Sequence, residues 1–286
     1  MQLILFSKAF RELSFDEQAA IAKRAGADGF DLCIRKGHPI TPDNVASTFK
    51  PWVERLRAQG LEVPMASGEG DLREPDDPTA RPILKALAES GVRFLKLGYF
   101  VFDPRRDDYR TALREMGRAL DGWQRLGREF GVTICYHTHS GPCLGLNGGS
   151  LESLLRDRDP ACIAAYVDPA HLVVNGEDFD YALAMLRPHL ALVALKDVLL
   201  SRQPSNHHGA VAVAWVRAGE GMVDWSLVFA ELARRGFDGV HSIHCEFEAP
   251  AEEFAAAVVR ETAFFRTCWT TVARPPREAP GGEDSQ

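Results

Sequence analysis

Short apolar runs alternate with longer segments of helical periodicity along most of the chain. The runs have the length of buried strands, and turn or helix-start signals bound them. Eight such runs lie at residues 3–7, 29–35, 61–67, 92–98, 132–139, 162–168, 190–197 and 239–247. A helical pattern follows each run. This alternation predicts a parallel sheet covered by helices.

Helix boundary signals fit this arrangement. Ser14 and Glu17 have the spacing of a capping box, and Gly26 is placed to end the first helix. A long helix is predicted over about 107–131 and a last helix over about 250–272.

The number of units decides between two parallel folds. Eight strand–helix units in 286 residues favour an α/β fold of the closed (β/α)8 TIM-barrel type over an open doubly wound sheet. A dinucleotide-binding open sheet normally carries a glycine fingerprint after its first strand, and "LILFSKAF" has none, so no nucleotide cofactor is predicted. We expect one domain over 1–273. The tail 274–286, with Pro, Gly and charge but no apolar anchors, is expected to be disordered.

Composition narrows the classes of partner. The formal net charge of -7 disfavours nucleic acid and membranes as partners, because both are polyanions. No apolar stretch approaches the roughly 20 residues of a membrane span, and the first residues do not have the pattern of a signal peptide. The six cysteines form no CxxC pair. We therefore expect buried, reduced thiols in a cytoplasmic protein.

Polar side chains gather where the predicted strands end, which is where a barrel of this type carries its chemistry. They are Arg35, His38, Lys96, His137, His139, Asp168, His171, Lys196, Asp197, His244 and Glu246. Five of the nine histidines are in this group. His137 and His139 are two residues apart, as are His244 and Glu246, so both members of each pair can face the barrel interior.

Each of these residues also has an ordinary structural explanation. A single polar residue at a strand end commonly bonds a loop, Asp168 before Pro169 has the position of a turn cap, and Lys196 with Asp197 fits a solvated pair. However, several strands deliver such residues to one mouth. Buried charges and imidazoles are costly unless a ligand or metal satisfies them, so the set as a whole favours a functional site.

Several segments in chain order resemble the sugar phosphate isomerase/epimerase family with the xylose-isomerase-like barrel. They are "GFDLCIRKGHP", "YHTHSGP", "VDPAHLVVNG" and "LVALKDV", followed by "AGEGMVDW" and "GFDGVHSIHCEFE". Relatives in that family include inosose dehydratases and isomerases and ketose 3-epimerases. The resemblance implies a small sugar or polyol, free or phosphorylated, as substrate. It also implies a homo-oligomer, since relatives are often dimers or tetramers.

The resemblance implies a metal site that this sequence alters. Metal-dependent relatives hold one divalent ion with an acidic residue on strand five, an Asp on strand six, a His on strand seven and a Glu on strand eight. Asp168 matches the strand-six ligand, whereas the other positions fall at His137, Ala194 and His244.

Two alternatives therefore stay open for the cofactor. In the first, Asp168, His137 and His244 hold a Zn, Mn, Co or Fe ion, since imidazole suits these ions; His139 and Glu246 are available to complete the set. In the second, the site works without a metal. The positive charge then comes from Lys196, Lys96 and Arg35.

The family's chemistry is proton abstraction next to a carbonyl, which gives an enediolate. The resemblance places catalysis on Glu246, His137, Lys196 and His171, and substrate binding on Arg35, His38, Lys96 and His139. The enediolate leads to an isomer or epimer, or to elimination when a leaving group stands on the next carbon.

Rival interpretations come from other classes of protein. One is a DNA-repair barrel of the endonuclease-IV type, which needs more metal ligands and a basic groove. Another is a barrel that binds sugars without catalysis, which the alanine at position 194 suggests. The segment 201–215 is expected to be a specificity loop or lid, with His207 and His208 exposed.

Overall fold

The computed structural model describes residues 1–203 and 209–273. The strands described are β1 (Gln2–Phe6), β2 (Gly29–Cys33), β3 (Glu62–Ser67), β4 (Phe94–Lys96), β5 (Thr133–His137), β6 (Ile163–Val167), β7 (Leu190–Leu195), β8 (Asp197–Arg202), β9 (Val211–Val216) and β10 (Val240–Ile243). All except β8 and β9 pair in parallel into a closed barrel, in the order β1-β10-β7-β6-β5-β4-β3-β2. The predicted (β/α)8 barrel is confirmed. The predicted tail and the histidines His207 and His208 lie outside the described residues.

Helices cover the outside of the barrel. They are α1 (Phe15–Ala25), α2 (Val45–Arg57), α3 (Ala80–Glu89), α4 (Tyr109–Phe130), α5 (Gly148–Leu155), α6 (Pro169–Asn175), α7 (Phe179–Leu186), α8 (Trp225–Arg234) and α9 (Ala251–Ala273). The capping box of Ser14 and Glu17 is present, and Gly26 ends α1 with a φ of 67°. None of the helices within the described ranges has the length and hydropathy that crossing a membrane requires.

The segment after the seventh barrel strand differs from the prediction. The seventh apolar run divides at Lys196: β7 stays in the barrel, and β8 leaves it and pairs antiparallel with β9. The expected loop is therefore, in its described part, a two-stranded hairpin. The alternating sequence 211–216 forms one strand of it, and all six of its residues are exposed or partly exposed. Sequence periodicity alone did not separate this hairpin from a loop because it pairs only with itself.

The barrel interior changes from apolar to polar along its axis. Nearer the amino ends of the strands it is filled by one buried cluster of Ile4, Met65, Phe94, Cys135, Ala164, Tyr166, Leu192, Ala194 and Val240. Lys96 follows Phe94 by two residues, and Lys196 follows Ala194 by two. Because side chains of a strand alternate between its faces, these lysines point into the same interior, one layer closer to the carboxyl ends.

Asp197 fixes the chain that returns from the hairpin to α8. Its buried carboxylate accepts hydrogen bonds from the backbone N–H of Gly219 at 2.9 Å and of Gly221 at 3.2 Å, and from Trp225 Nε1 at 3.0 Å. A Cβ at Gly221 would lie 2.1 Å from Asp197 Oδ1, so only glycine fits there. The possible solvated pair of Lys196 and Asp197 is therefore wrong, since both side chains are buried.

Candidate active site

A cavity of about 90 Å³ opens at the carboxyl ends of the barrel strands. It is lined by Phe6, Lys8, Arg35, Ser67, Gly70, Lys96, Tyr99, His137, His139, Tyr166, Lys196, His244 and Glu246. Seven of these thirteen residues are among the site residues predicted from the sequence. The barrel thus brings most of that prediction together in one place.

The ammonium group of Lys196 contacts several of the polar side chains at the carboxyl ends of the strands. Its Nζ lies 2.8 Å from His171 Nε2, 2.8 Å from Glu246 Oε2 and 3.4 Å from Asp168 Oδ2. The centroid of the Trp215 ring is 4.2 Å away, within the range of a cation–π contact. Burial would lower the pKa of Lys196, but Asp168 and Glu246 outweigh burial and raise it. Lys196 is therefore a buried cation that donates a hydrogen bond to Glu246 and is balanced by two carboxylates.

His171 is held between Lys196 and Ser140. Its Nε2 lies 2.8 Å from Lys196 Nζ. Its Nδ1 accepts a hydrogen bond from the backbone N–H of Ser140 at 3.1 Å and lies 2.8 Å from Ser140 Oγ. Burial strongly lowers the pKa of His171, which keeps the ring neutral. His171 lies behind Lys196, outside the cavity lining, and positions it.

Glu246 is held in its ionised form by two lysines. Its Oε1 is 2.6 Å from Lys8 Nζ, and its Oε2 is 2.8 Å from Lys196 Nζ. Burial would raise the pKa of Glu246, but Lys196, and to a smaller extent Lys8, bring it well below the usual range. Because the carboxylate lines the cavity, it is an anion that a bound molecule can contact.

Asp168 lies directly after β6, and its carboxylate faces His137. Its Oδ1 accepts from the backbone N–H of Ala170 and His171 at 2.9 and 3.1 Å, which caps α6. Its Oδ2 lies 3.2 Å from His137 Nε2, and both atoms are buried without a hydrogen-bond partner in the described structure. His137 Nδ1 is 2.9 Å from the hydroxyl of Tyr99. Burial, followed by the nearby lysines, lowers the pKa of His137 well below its ordinary value.

Two further neutral imidazoles reach the cavity. His244 Nε2 lies 2.8 Å from the Tyr166 hydroxyl, and its ring stacks on Phe6 with centroids 4.4 Å apart. His139 packs on the ring of His171 at 4.0 Å. Burial lowers the pKa of His244 well below normal and that of His139 to about 4. Neutral imidazoles and phenols both donate and accept hydrogen bonds, which suits the hydroxyls of a sugar.

Arg35 and His38 leave β2 in different directions. Arg35 lines the cavity, and its Nε donates to the backbone oxygen of Gly68 at 2.9 Å. His38 instead lines a separate small cavity with Gln18. The tight turn between them, with Gly37 at a φ of 77°, carries His38 away from the barrel mouth. This position does not favour the substrate-binding role predicted for His38.

The predicted metal ligands do not fit a metal centre. Within residues 1–203 and 209–273, no group of three or more His, Cys, Asp or Glu side chains is placed to hold an ion. Ala194 has no donor atom, a neighbouring phenol engages Nε2 of His244, and the cation against Asp168 is Lys196. A metal ion on the same carboxylate would repel the ammonium group at short range. The set of Asp168, His137 and His244 therefore does not assemble as expected from the sequence.

Several residues of the site escaped the sequence analysis. Lys8 follows the first strand and Tyr166 lies two residues before Asp168, so the rule of alternation at strand ends would have found both. Tyr99 and Trp215 come from a loop and from the hairpin, whose positions depend on the tertiary fold. Asp31 was hidden as a single polar residue within an apolar run, and it is fully buried in the barrel.

Comparison with known proteins places the chain in a family. The family model described as xylose isomerase-like TIM barrel matches residues 19–268. The chain belongs to this family.

Individual relatives are more distant. An inosose dehydratase from Geobacillus thermodenitrificans is 28% identical over 160 residues, which are 52% of this chain and 53% of that protein. A second inosose dehydratase, from Lacticaseibacillus casei, is 27% identical over 155 residues. This chain thus matches about half the length of these curated relatives.

Solved structures share the barrel over most of the chain. A 3-keto-D-glucoside 4-epimerase from E. coli superimposes with a TM-score of 0.72 at 19% identity, covering 94% of this chain and 100% of that one. A D-psicose 3-epimerase from Clostridium cellulolyticum gives a TM-score of 0.70 at 11% identity, covering 94% and 99%. At these identities the likeness concerns the fold.

Proposed function

We propose that the protein is an isomerase or epimerase that acts on a keto-sugar, sugar phosphate or inosose by removing a proton next to the carbonyl. The observation that carries this proposal is the contact of 2.8 Å between the carboxylate of Glu246 and the ammonium of Lys196 at the cavity wall. Enediolate chemistry needs a base near the carbon and a positive group at the oxygen. The two groups stand side by side here.

In the proposed reaction, the substrate carbonyl oxygen lies against Lys196 and the acidic carbon lies against Glu246. The contact of Lys196 with Asp168 Oδ2, at 3.4 Å, is the longest of its three polar contacts and is the one most readily exchanged for a contact with a carbonyl oxygen. As Lys196 turns toward the carbonyl, its hold on Glu246 weakens and the pKa of Glu246 rises. The carboxylate then takes the proton, and the electron pair moves to the oxygen beside Lys196.

The remaining groups orient the sugar. The neutral imidazoles of His137, His139 and His244 offer donors and acceptors for hydroxyls. Lys8 and Arg35 line the same cavity and suit a phosphate or a second anionic group. Their positive charge favours a phosphorylated or otherwise anionic substrate over a neutral one.

A panel of carbonyl substrates in deuterated water tests the proposal. The panel contains D-fructose, D-tagatose, D-psicose, L-ribulose, their phosphates and an inosose, and NMR follows deuterium entry next to the carbonyl and the formation of a new isomer. We expect both for at least one compound, and we expect Glu246→Gln to lose formation of the new isomer and deuterium entry into the substrate whose proton Glu246 removes. Arg11→Gln, an exposed change outside the cavity lining, is the control. If a sugar raises the melting temperature of the protein but no exchange or turnover is seen, the protein binds sugars without catalysis.

Dehydration is the second candidate, because the curated relatives are inosose dehydratases. The same enediolate loses a hydroxyl from the next carbon when an acid protonates it. Mass spectrometry of the panel reactions separates the candidates: a product lighter by one water marks the dehydratase, and a product of unchanged mass marks the isomerase or epimerase.

A further inference from the structure

Lys96 is a buried amine in the wall of the active-site cavity. It is the last residue of β4, is 3% exposed and lines the cavity. Its Nζ has no hydrogen-bond partner among the described residues, and it touches the face of Tyr99, whose centroid is 3.8 Å away. Lys196, by contrast, contacts two carboxylates. A buried polar group without a partner is costly to the folded state, so the position of Lys96 suits a ligand that completes it.

The nearest buried carboxylate does not take that role. Asp31 attracts Lys96 electrostatically, but its Oδ2 receives hydrogen bonds from Ser67 Oγ at 3.1 Å and Ser242 Oγ at 3.3 Å. Its Oδ1 is without a partner in the described structure, as is Lys96 Nζ, so the two do not pair. Burial raises the pKa of Asp31 to about 6. Lys96 is thus left for a bound molecule.

Lys96 and Glu246 reach the cavity from opposite walls. In the closed order of the barrel, four steps separate β4 from β10 in either direction, so the two strands are diametrically opposed. Lys96 ends β4, and Glu246 follows β10 by three residues. Both line the same small cavity. A molecule bound there has one of these groups on each side.

Inversion of a carbon next to a carbonyl requires one proton to leave one face and another to arrive at the opposite face. We propose that Lys96 is the second proton-transfer residue of an epimerase and acts across the reacting carbon from Glu246. This proposal rests on the enediolate function above. It narrows that function to inversion at a carbon adjacent to a ketone.

The step balances without a further reactant. Glu246 takes the proton, the electrons of the broken C–H bond form the enediolate double bond, and the carbonyl electrons move to the oxygen beside Lys196. The ammonium of Lys96 then gives a proton to the opposite face, the new C–H bond forms and the carbonyl returns. The cycle ends with a protonated Glu246 and a neutral Lys96, and the reverse reaction or exchange with water restores the starting state.

The surroundings of Lys96 favour such a transfer. Burial, followed by the positive charge of Arg35, lowers the pKa of Lys96 well below that of an exposed lysine, and Asp31 offsets only part of this effect. A lysine that gives up its proton more readily is a better acid toward an enediolate and, in the reverse direction, a competent base.

Deuterium exchange measured on each epimer separately tests the proposal. Wild type, Lys96→Met and Glu246→Gln are incubated in deuterated water with D-fructose and, in a second reaction, with D-psicose, which differ at a single carbon; other epimer pairs of the panel follow. Lys50→Met, an exposed change on α2, is the control. We expect both site variants to lose epimerisation by at least ~100-fold. Each should keep exchange into one epimer only, and the retained epimer should differ between the two variants.

Several results would overturn the proposed role of Lys96. Epimerisation by Lys96→Met within threefold of wild type, loss of exchange into both epimers, or retention of the same epimer by both variants would overturn the role of Lys96. Melting temperatures at or above that of wild type show that Lys96→Met is folded. If the wild-type protein exchanges deuterium into one epimer and then releases water, the reaction is a dehydration. That result would also overturn the role of Lys96, but it would agree with enediolate chemistry. If wild type exchanges with no substrate of the panel, the proposed function itself fails.

Discussion

Replacing Lys196 with methionine takes a cation out of a pocket that holds two carboxylates. Asp168 is fully buried and stays behind without a positive neighbour, and Glu246 keeps only Lys8. Removing one partner of a buried ion pair typically destabilises a protein by about 3–5 kcal/mol. The lost cation–π contact with Trp215 adds a smaller amount. We therefore expect Lys196→Met to lower the free energy of unfolding by about 4 kcal/mol.

The loss should depend on pH in a way that identifies its cause. In wild type the pKa of Asp168 is lowered, so Asp168 contributes stability above its unfolded pKa of about 4, and this contribution is lost as the pH falls. In Lys196→Met, burial dominates and raises the pKa of Asp168, so the ionised carboxylate now opposes folding at neutral pH. The deficit relative to wild type should therefore be largest near neutral pH and should shrink as the pH falls toward 4.

Urea unfolding of wild type and variant across this pH range measures the deficit. The double variant Asp168→Asn with Lys196→Met is the matched control, because the amide oxygen can still cap α6 while the unpaired charge is gone. It should recover a substantial part of the stability that Lys196→Met loses. A deficit below about 1 kcal/mol, or one that does not change with pH, would refute the view of Lys196 as a buried cation that compensates Asp168.

Three further predictions concern the surroundings of the site. Lys96→Met should raise the free energy of unfolding by about 1–3 kcal/mol, because it removes an unpartnered buried amine; a lower melting temperature would contradict this. Gly221→Ala should lower stability by about 1–3 kcal/mol, since its Cβ would displace Asp197, and thermal unfolding would show it. His38→Ala should leave kcat/KM unchanged within about twofold, because His38 lies outside the cavity; a tenfold loss would show that it contacts substrate.

The fold could be predicted from the sequence because its signal repeats. Eight apolar runs with helical segments between them leave few parallel architectures for a chain of this length, and the capping box at Ser14 adds a local boundary. The hairpin of β8 and β9 lacked such support. It is a single excursion that pairs only with itself, and its alternating residues also fit a loop.

The candidate site could be predicted as far as strand ends determine it. Lys96, Lys196 and Glu246 were found because barrel geometry directs alternate residues at the ends of parallel strands into one mouth. The hydrogen-bond and ion-pair partners of each group could not be predicted, because they depend on distances between side chains in the folded protein. Lys196 lies between Asp168 and Glu246, at 3.4 and 2.8 Å respectively, and no spacing in the sequence reveals these distances.

The central claim is that the ammonium of Lys196 supplies the positive charge for enediolate formation. Its most direct test is deuterium exchange into the keto-sugar panel by protein stripped with a strong chelator and checked for residual metal by mass spectrometry. We expect exchange to continue at the rate of untreated protein and Lys196→Met to abolish it. Exchange that disappears with the metal and returns on addition of Mn, Co or Zn would show instead that a metal ion supplies the positive charge.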